Sequence, residues 1–258
     1  MLNRFAVATL LVSLSALAWA QSNDFWVKKD YKQWNEKECR RLLENSPWAQ
    51  DFTVTKTEIT ALQAPALNSP INTGTGGTTN PGERGRENNA HIQYRVQFRS
   101  ALPVRQALVR MQQLANNYDQ MPTEQKQMFD ERAGKLLQAD FSNIIAVHVG
   151  YSSNIPLYDR ELANYWQVQT NDQLKNTSFL IGPQGQKIPP ARFTTTTGAG
   201  REFTFYFPRS VDGQPLVTTR DKTLKLEFVH PRISNEKEER VLLEFKVDKM
   251  LMNGAAVY

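Results

Sequence analysis

The chain has 258 residues, 40% hydrophobic and 22% charged, which is ordinary globular usage and supports a sizeable core. Its formal charge is +5, from 31 Lys and Arg against 26 Asp and Glu, and the positive residues are dispersed, which excludes a basic nucleic-acid tail. A single cysteine, Cys39, excludes any intramolecular disulfide, so packing alone must hold the fold.

Residues 1–20 read as a secretory signal peptide: Asn3 and Arg4 give a positive start, Phe5 to Ala18 an apolar run, and Ala18-Trp19-Ala20 the small residues of a cleavage site. The run falls short of the roughly 20 apolar residues a spanning helix needs. No second run of that length follows. The expectation is a soluble secreted or periplasmic protein whose mature chain starts near Gln21, has no transmembrane anchor and carries +4, because Arg4 is lost with the leader. Export also argues against a nucleic-acid partner. Cys39 lies too far from the cleavage site to carry a lipid.

Residues 21–64 form an aromatic-rich N-terminal arm containing Phe25, Trp26, Tyr31, Trp34, Trp48 and Phe52. Asn35 followed three residues on by Glu38 is a capping-box pattern, predicting a short helix from Glu36 to about Asn45 with Cys39, Leu42 and Leu43 on its packed face. Ser46-Pro47 ends it, since the residue before proline avoids helical angles. Phe52, Val54 and Ile59 among threonines predict a strand. Residues 65–90, rich in Gly, Thr, Asn and Pro, read as a loop between two strands or a tether. Their glycines fit no phosphate-binding pattern.

Residues 91–170 read as mixed α/β. Ile92, Tyr94, Val96 and Phe98 alternate with polar residues and predict a half-buried strand. Pro103 opens a helix with Val104, Ala107, Leu108, Met111, Leu114, Ala115 and Tyr118 on one face. A second helix, Thr123 to Gln138, turns Phe129, Ala133, Leu136 and Leu137 inward, making a helical hairpin whose apolar faces are too wide to leave in water. The apolar run 144–149 predicts a strand covered on both faces, and 161–168 a short helix burying Leu162, Tyr165 and Trp166. Residues 171–258 are β-rich. The alternations at 203–207, 224–228 and 241–247, separated by turn residues, have the rhythm of an antiparallel sandwich or partial barrel. The fold class expected is therefore α+β: a helical hairpin packed on a mixed sheet, plus a C-terminal antiparallel β sandwich-like unit.

Few residues in the sequence point to chemistry. His91, His148 and His230 lie outside metal-ligand spacing of one another and of Cys39, so no metal site and no cofactor is expected. His148 reads as a hydrogen-bonded core residue and His230 as a surface residue before Pro231. No Gly-x-Ser-x-Gly, Ser-x-x-Lys or His-Glu-x-x-His pattern occurs, and no catalytic residue is assigned. The candidate ligand-binding residues are the rings Trp26, Tyr31, Trp34, Trp48 and Trp166, which can stack on sugars or on a partner protein; the alternative is that they clamp the arm to the body.

The stretch Asp24-Phe25-Trp26-Val27-Lys28-Lys29-Asp30-Tyr31-Lys32-Gln33-Trp34-Asn35-Glu36-Lys37-Glu38-Cys39, continued by Leu42-Leu43 and Ser46-Pro47-Trp48-Ala49, resembles a segment of uncharacterised secreted proteins of soil-type bacteria. The stretch from Arg99 to Ala107 and the ending Phe245-Lys246-Val247-Asp248-Lys249-Met250 resemble the same group. A similar arm occurs beside the Gly-Trp-x-Thr-Asp domain of exported bacterial proteins, but that motif is absent from this chain. The resemblance implies export and bacterial origin, and carries no activity, cofactor or catalytic residue.

The function expected is that of an exported, non-enzymatic binding or scaffold protein, its partner a cell-wall polymer or an envelope protein. The alternative is a secreted hydrolase of polysaccharide or peptide, with acidic residues in an aromatic-lined cleft. A small-molecule or lipid carrier would need an apolar cavity inside the β unit.

Overall fold

The computed structural model describes residues 25–57, 89–196, 200–233, 238–252 and 255–258. The expected leader, Ile59 and residues 65–88 lie outside the described residues. Helices α1 (Phe25–Lys28) and α2 (Glu36–Glu44) precede strands β1 (Ala49–Thr57) and β2 (Asn89–Phe98). Helices α3 (Leu102–Ala115) and α4 (Thr123–Leu137) lead to β3 (Ile144–Ser153), α5 (Pro156–Val168) and α6 (Asn171–Leu174). The remaining strands are β4 (Phe179–Ile181), β5 (Lys187–Ile188), β6 (Arg192–Thr195), β7 (Glu202–Pro208), β8 (Ser210–Val211), β9 (Gln214–Pro215), β10 (Thr223–His230), β11 (Glu239–Lys246), β12 (Leu251–Met252) and β13 (Ala255–Ala256).

Two sheets carry the architecture, in the orders β1-β2-β3-β7-β6 and β11-β10-β4-β5. The α+β class holds, and the five-stranded sheet expected to be mixed is antiparallel throughout. The helical hairpin explains this. One crossover helix would carry the chain to the far end of the sheet, but α3 and α4 run out and back. Arg105, in the first turns of α3, donates to the carbonyls of Leu136 (3.0 Å), Leu137 (2.9 Å) and Ala139 (3.1 Å) at the end of α4. The chain thus returns beside the end of β2, and β3 pairs antiparallel to it. Arg105 also satisfies carbonyls that a helix C-terminus leaves without intrahelical donors.

Alternating side chains bring the two sheets face to face. Tyr94, Phe98, Val147, Phe203 and Phe205 point into the core from one sheet, and Leu180, Leu226, Phe228, Leu243 and Phe245 from the other. Phe98 meets Phe245 edge-on at 4.8 Å and Tyr94 meets Phe228 at 5.4 Å. Trp166 of α5 stacks on Phe203 at 3.9 Å and also reaches Phe228 at 6.1 Å. Full burial of each large apolar side chain stabilises by roughly 1.5–3 kcal/mol.

The arm belongs to this core. Asn35 and Glu38 form the expected capping box, and α2 buries Cys39 and Leu42. β1 is an edge strand of the five-stranded sheet, in register from Ala49↔Gln97 to Thr57↔Asn89. The 58–88 segment therefore joins two paired neighbours. The compositional boundary near residue 171 runs through the five-stranded sheet, because β6 and β7 complete the sheet that β1–β3 begin.

Three local expectations change. His230 is fully buried, its Nδ1 lying 2.6 Å from the Tyr94 hydroxyl, because the alternation Leu224, Leu226, Phe228 continues to it and turns it inward. His148 lies on the outer face of β3, since Ile145, Val147 and Val149 take the inner one. Helix α4 buries none of its residues, and Phe129, Ala133, Leu136 and Leu137 are only half-buried.

Candidate functional site

The five rings singled out as binding residues part company. Trp26, Trp34, Trp48 and Trp166 are all at most 4% exposed, so their faces are taken up by packing. Trp26 meets Trp48 edge-on at 5.6 Å, and Phe25 meets Trp34 at 5.5 Å. The Trp48 indole N–H donates to the Val257 carbonyl. These three arm indoles clamp the arm to the body, and Trp166 fills the space between the sheets. Tyr31 alone of the five is half-buried and opens onto a cleft.

That cleft, about 390 Å³, lies between the arm and the helical hairpin and is lined by Tyr31, Lys32, Arg110, Gln113, Tyr118, Asp119, Asp130, Ala133, Gly134 and Leu137. Each tyrosine is backed by a second ring: Tyr31 by Trp34 at 6.4 Å, Tyr118 by Phe129 at 5.3 Å. The Tyr118 hydroxyl lies 2.9 and 2.8 Å from the two carboxylate oxygens of Asp130, and this bond holds the phenol above its ordinary range. Lys126 sits 5.5 Å over the Tyr118 ring and donates to the Asp119 carbonyl. Where the hairpin meets the arm, Arg110 Nε donates to the Trp34 carbonyl at 2.9 Å, and its Nη1 to the buried Gln113 Oε1 at 3.2 Å. Gly134 breaks the α4 surface here, and a Cβ placed on it would meet no atom within 4 Å. A glycine inside a helix costs about 0.5–1 kcal/mol relative to alanine. Here it keeps space open above the cleft. Rings with fixed faces beside a few converging polar groups are the ordinary make-up of a small-ligand site. A second groove on the hairpin, about 440 Å³, is lined by Gln112, Asn116, Met121, Gln125, Met128, Phe129 and Arg132, with no carboxylate and no tyrosine.

The outer face of the five-stranded sheet holds a second group of polar side chains. His148 Nδ1 lies 3.2 Å from Thr204 Oγ1, and its Nε2 lies 3.3 Å from Glu202 Oε2. The order hydroxyl, imidazole, carboxylate is that of a nucleophile and its base. The protonation state speaks against that use. Burial, helped by the neighbouring Arg99 guanidinium, pushes the imidazole down to about 3. A general base works best with a pKa near the operating pH. At neutral pH the Glu202 contact therefore joins a carboxylate to a neutral ring and is not an ion pair. Four arginines share this side of the molecule. Arg95 forks onto Asp51, with both bonds at 2.9 Å, and reaches Glu44 at 3.0 Å; Arg201 pairs with the buried Asp159 at 2.7 Å. Arg99 bonds Gln97 Oε1 at 3.0 Å, and Arg192 lies over the Tyr206 ring at 3.7 Å.

Cys39 is fully buried, and burial pushes its thiol up to about 11, which suits packing and not nucleophilic chemistry. Among the described residues no group of three or more His, Cys, Asp or Glu is placed to hold a metal ion. No described helix is long and apolar enough to cross a membrane.

Sequence reasoning reached Tyr31 but missed Tyr118, Arg110, Gln113 and Asp130. They lie 79 to 99 residues further along the chain, and only the docking of the arm on α3 brings them together. The fold and the cleft define an α+β sandwich with a projecting helical hairpin. No family model, no curated protein and no solved structure matches the chain.

Proposed function

We propose that this chain is an exported, non-enzymatic protein that binds a polar polymer of the cell envelope, a glycan, in the cleft between the arm and the hairpin. The convergence of Tyr31 and Tyr118 with Asp130, Arg110 and Gln113 carries the reading. Tyrosine rings offer large area at low entropic cost to the apolar faces of sugar rings. The carboxylate accepts from sugar hydroxyls, and the guanidinium and amide donate to them. Export is supported by the layout of residues 1–20 and by the resemblance of the arm to secreted bacterial proteins. Co-sedimentation of the purified protein with peptidoglycan sacculi tests the reading. The protein is expected in the pellet, released by soluble glycan fragments and weakened by Tyr31→Ala and Asp130→Ala. Protein that stays in the supernatant under all conditions contradicts it.

A second reading, a secreted glycoside hydrolase, is favoured by one observation: Asp119 and Asp130 line the same cleft. Two carboxylates can divide acid and nucleophile or base roles at a glycosidic bond. Release of reducing ends from sacculi by the wild type, abolished in Asp130→Asn, would move the function to this class. The engagement of Asp130 by Tyr118 supports the binding reading over the hydrolytic one.

A further inference from the structure

Strand register places four residues in one row across the outer face of the five-stranded sheet. Arg99 follows directly on β2, and its N–H donates to the Ala146 carbonyl of β3 at 2.8 Å. Ala146 pairs with Tyr206 of β7, and Tyr206 with Arg192 of β6. Neighbouring strands lie about 4.8 Å apart, so the two arginines start about 14 Å from each other, and both can lean over the ground between them. That ground is the small side chain of Ala146 and the ring of Tyr206. Arg192 already lies over that ring, 3.7 Å from its centre. Arg99 is half-buried and is electrostatically coupled to both Tyr206 and Glu202.

What distinguishes this pair is the treatment of its charge. Arg95 and Arg201 each have a carboxylate within 3.0 Å. Among the described residues neither Arg99 nor Arg192 forms an ion pair within 4.0 Å. A guanidinium drawn away from water is costly unless an opposite charge or several acceptors meet it. Among the described residues Arg99 has one side-chain acceptor, Gln97 Oε1, and that amide is itself anchored by its Nε2 on the Leu43 carbonyl at 2.7 Å. The side chain is thus oriented by a fixed partner, and the rest of its donor fork is left for something else.

We propose that Arg99, Arg192 and the Tyr206 hydroxyl form a binding site for an oxyanion, a carboxylate or phosphate group of a ligand, on the sheet face remote from the core. Two guanidinium forks match the geometry of such a group, and the phenol adds a neutral donor. The site is separate from the arm–hairpin cleft and does not depend on its reading.

Nuclear magnetic resonance of the ¹⁵N-labelled protein, titrated in parallel with inorganic phosphate and with acetate at constant ionic strength, tests the site. The expected result is a saturable shift of the Arg99 Nε–H signal with at least one of the two anions, and the stronger binder names the source. Loss of one charged donor costs about tenfold in affinity. Arg99→Gln and Arg192→Gln should each weaken binding by at least that factor, while Arg201→Gln, whose guanidinium is already paired, should not. Arg192 is exposed, so its variant keeps the test open if Arg99→Gln fails to fold. Shifts that never saturate with either anion, or affinities equal in the wild type and in Arg192→Gln, overturn the proposal.

Discussion

His148 has the strongest proton linkage on the sheet face. Its imidazole ordinarily titrates near 6.5, and burial together with Arg99 brings it to about 3. As pH falls through 6.5 the unfolded chain takes up this proton while the folded chain does not, so stability drains away between pH 6.5 and 3 and is fully present above. Urea midpoints measured across that window should fall more steeply for the wild type than for His148→Gln, and equal slopes would contradict the assignment. Cys39 gives a second residue-level outcome. With its thiol fully buried and pushed up to about 11, it should react with a disulfide reagent only as fast as the protein opens. Rapid native-state labelling would contradict its burial. Some of this was legible in the sequence. The role of Cys39 followed from its place beside Leu42 on one helical face. The burial of His230 could have been read from the two-residue period of β10, but Pro231 suggested a surface end instead. The environment of His148 could not be read, because it depends on which residues of β2 and β7 lie opposite.

Helix α4 is the element whose sequence and surroundings agree least. Its apolar residues have helical spacing, which made the helix itself legible, yet it buries no side chain. Periodicity reveals which face a helix turns inward, but not how much protein stands there to cover it. The C-terminal end of α4 is held by Arg105, which also stacks on Phe141 at 4.9 Å, and its middle by Tyr118 on Asp130. Amide hydrogen exchange should therefore be faster in α4 than in α3, and equal protection of the two would contradict this packing. Gly134 has open space around its Cβ position and no positive φ. Replacing it with alanine should stabilise the protein by about 0.5–1 kcal/mol, read as a rise in Tm. A fall in Tm would mean that the glycine meets a steric demand absent from this packing.

Across the whole molecule, the last described residues are stitched both to the arm and to the body. Trp48 donates to Val257, Arg209 donates to the Tyr258 carbonyl and lies 4.6 Å over its ring, and the Tyr258 hydroxyl donates to the Val217 carbonyl at 2.6 Å. Tyr258→Ala should cost about 3 kcal/mol, as for other large buried rings, and should lower the whole unfolding transition. Circular dichroism and tryptophan fluorescence would then still report one midpoint; a separate early loss confined to the tail would contradict this stitching. Strand rhythm, turn residues and the arm helix were legible in the sequence because each follows from local pattern. The sharing of one sheet by residues 49–57 and 192–208 was not, because pairing partners so distant leave no local mark. The cleft was invisible for the same reason: one wall comes from the arm and the other from the hairpin.

That cleft carries the functional account, and Gly134 allows it to be closed without harming the fold. Isothermal titration of soluble peptidoglycan glycan fragments into the wild type and into Gly134→Leu is the most direct measurement. The account predicts binding by the wild type and at least about tenfold weaker binding by the variant, with Tm unchanged or raised, since leucine is the better helix former. Equal affinities in the two proteins, or no heat of binding in either, would contradict it.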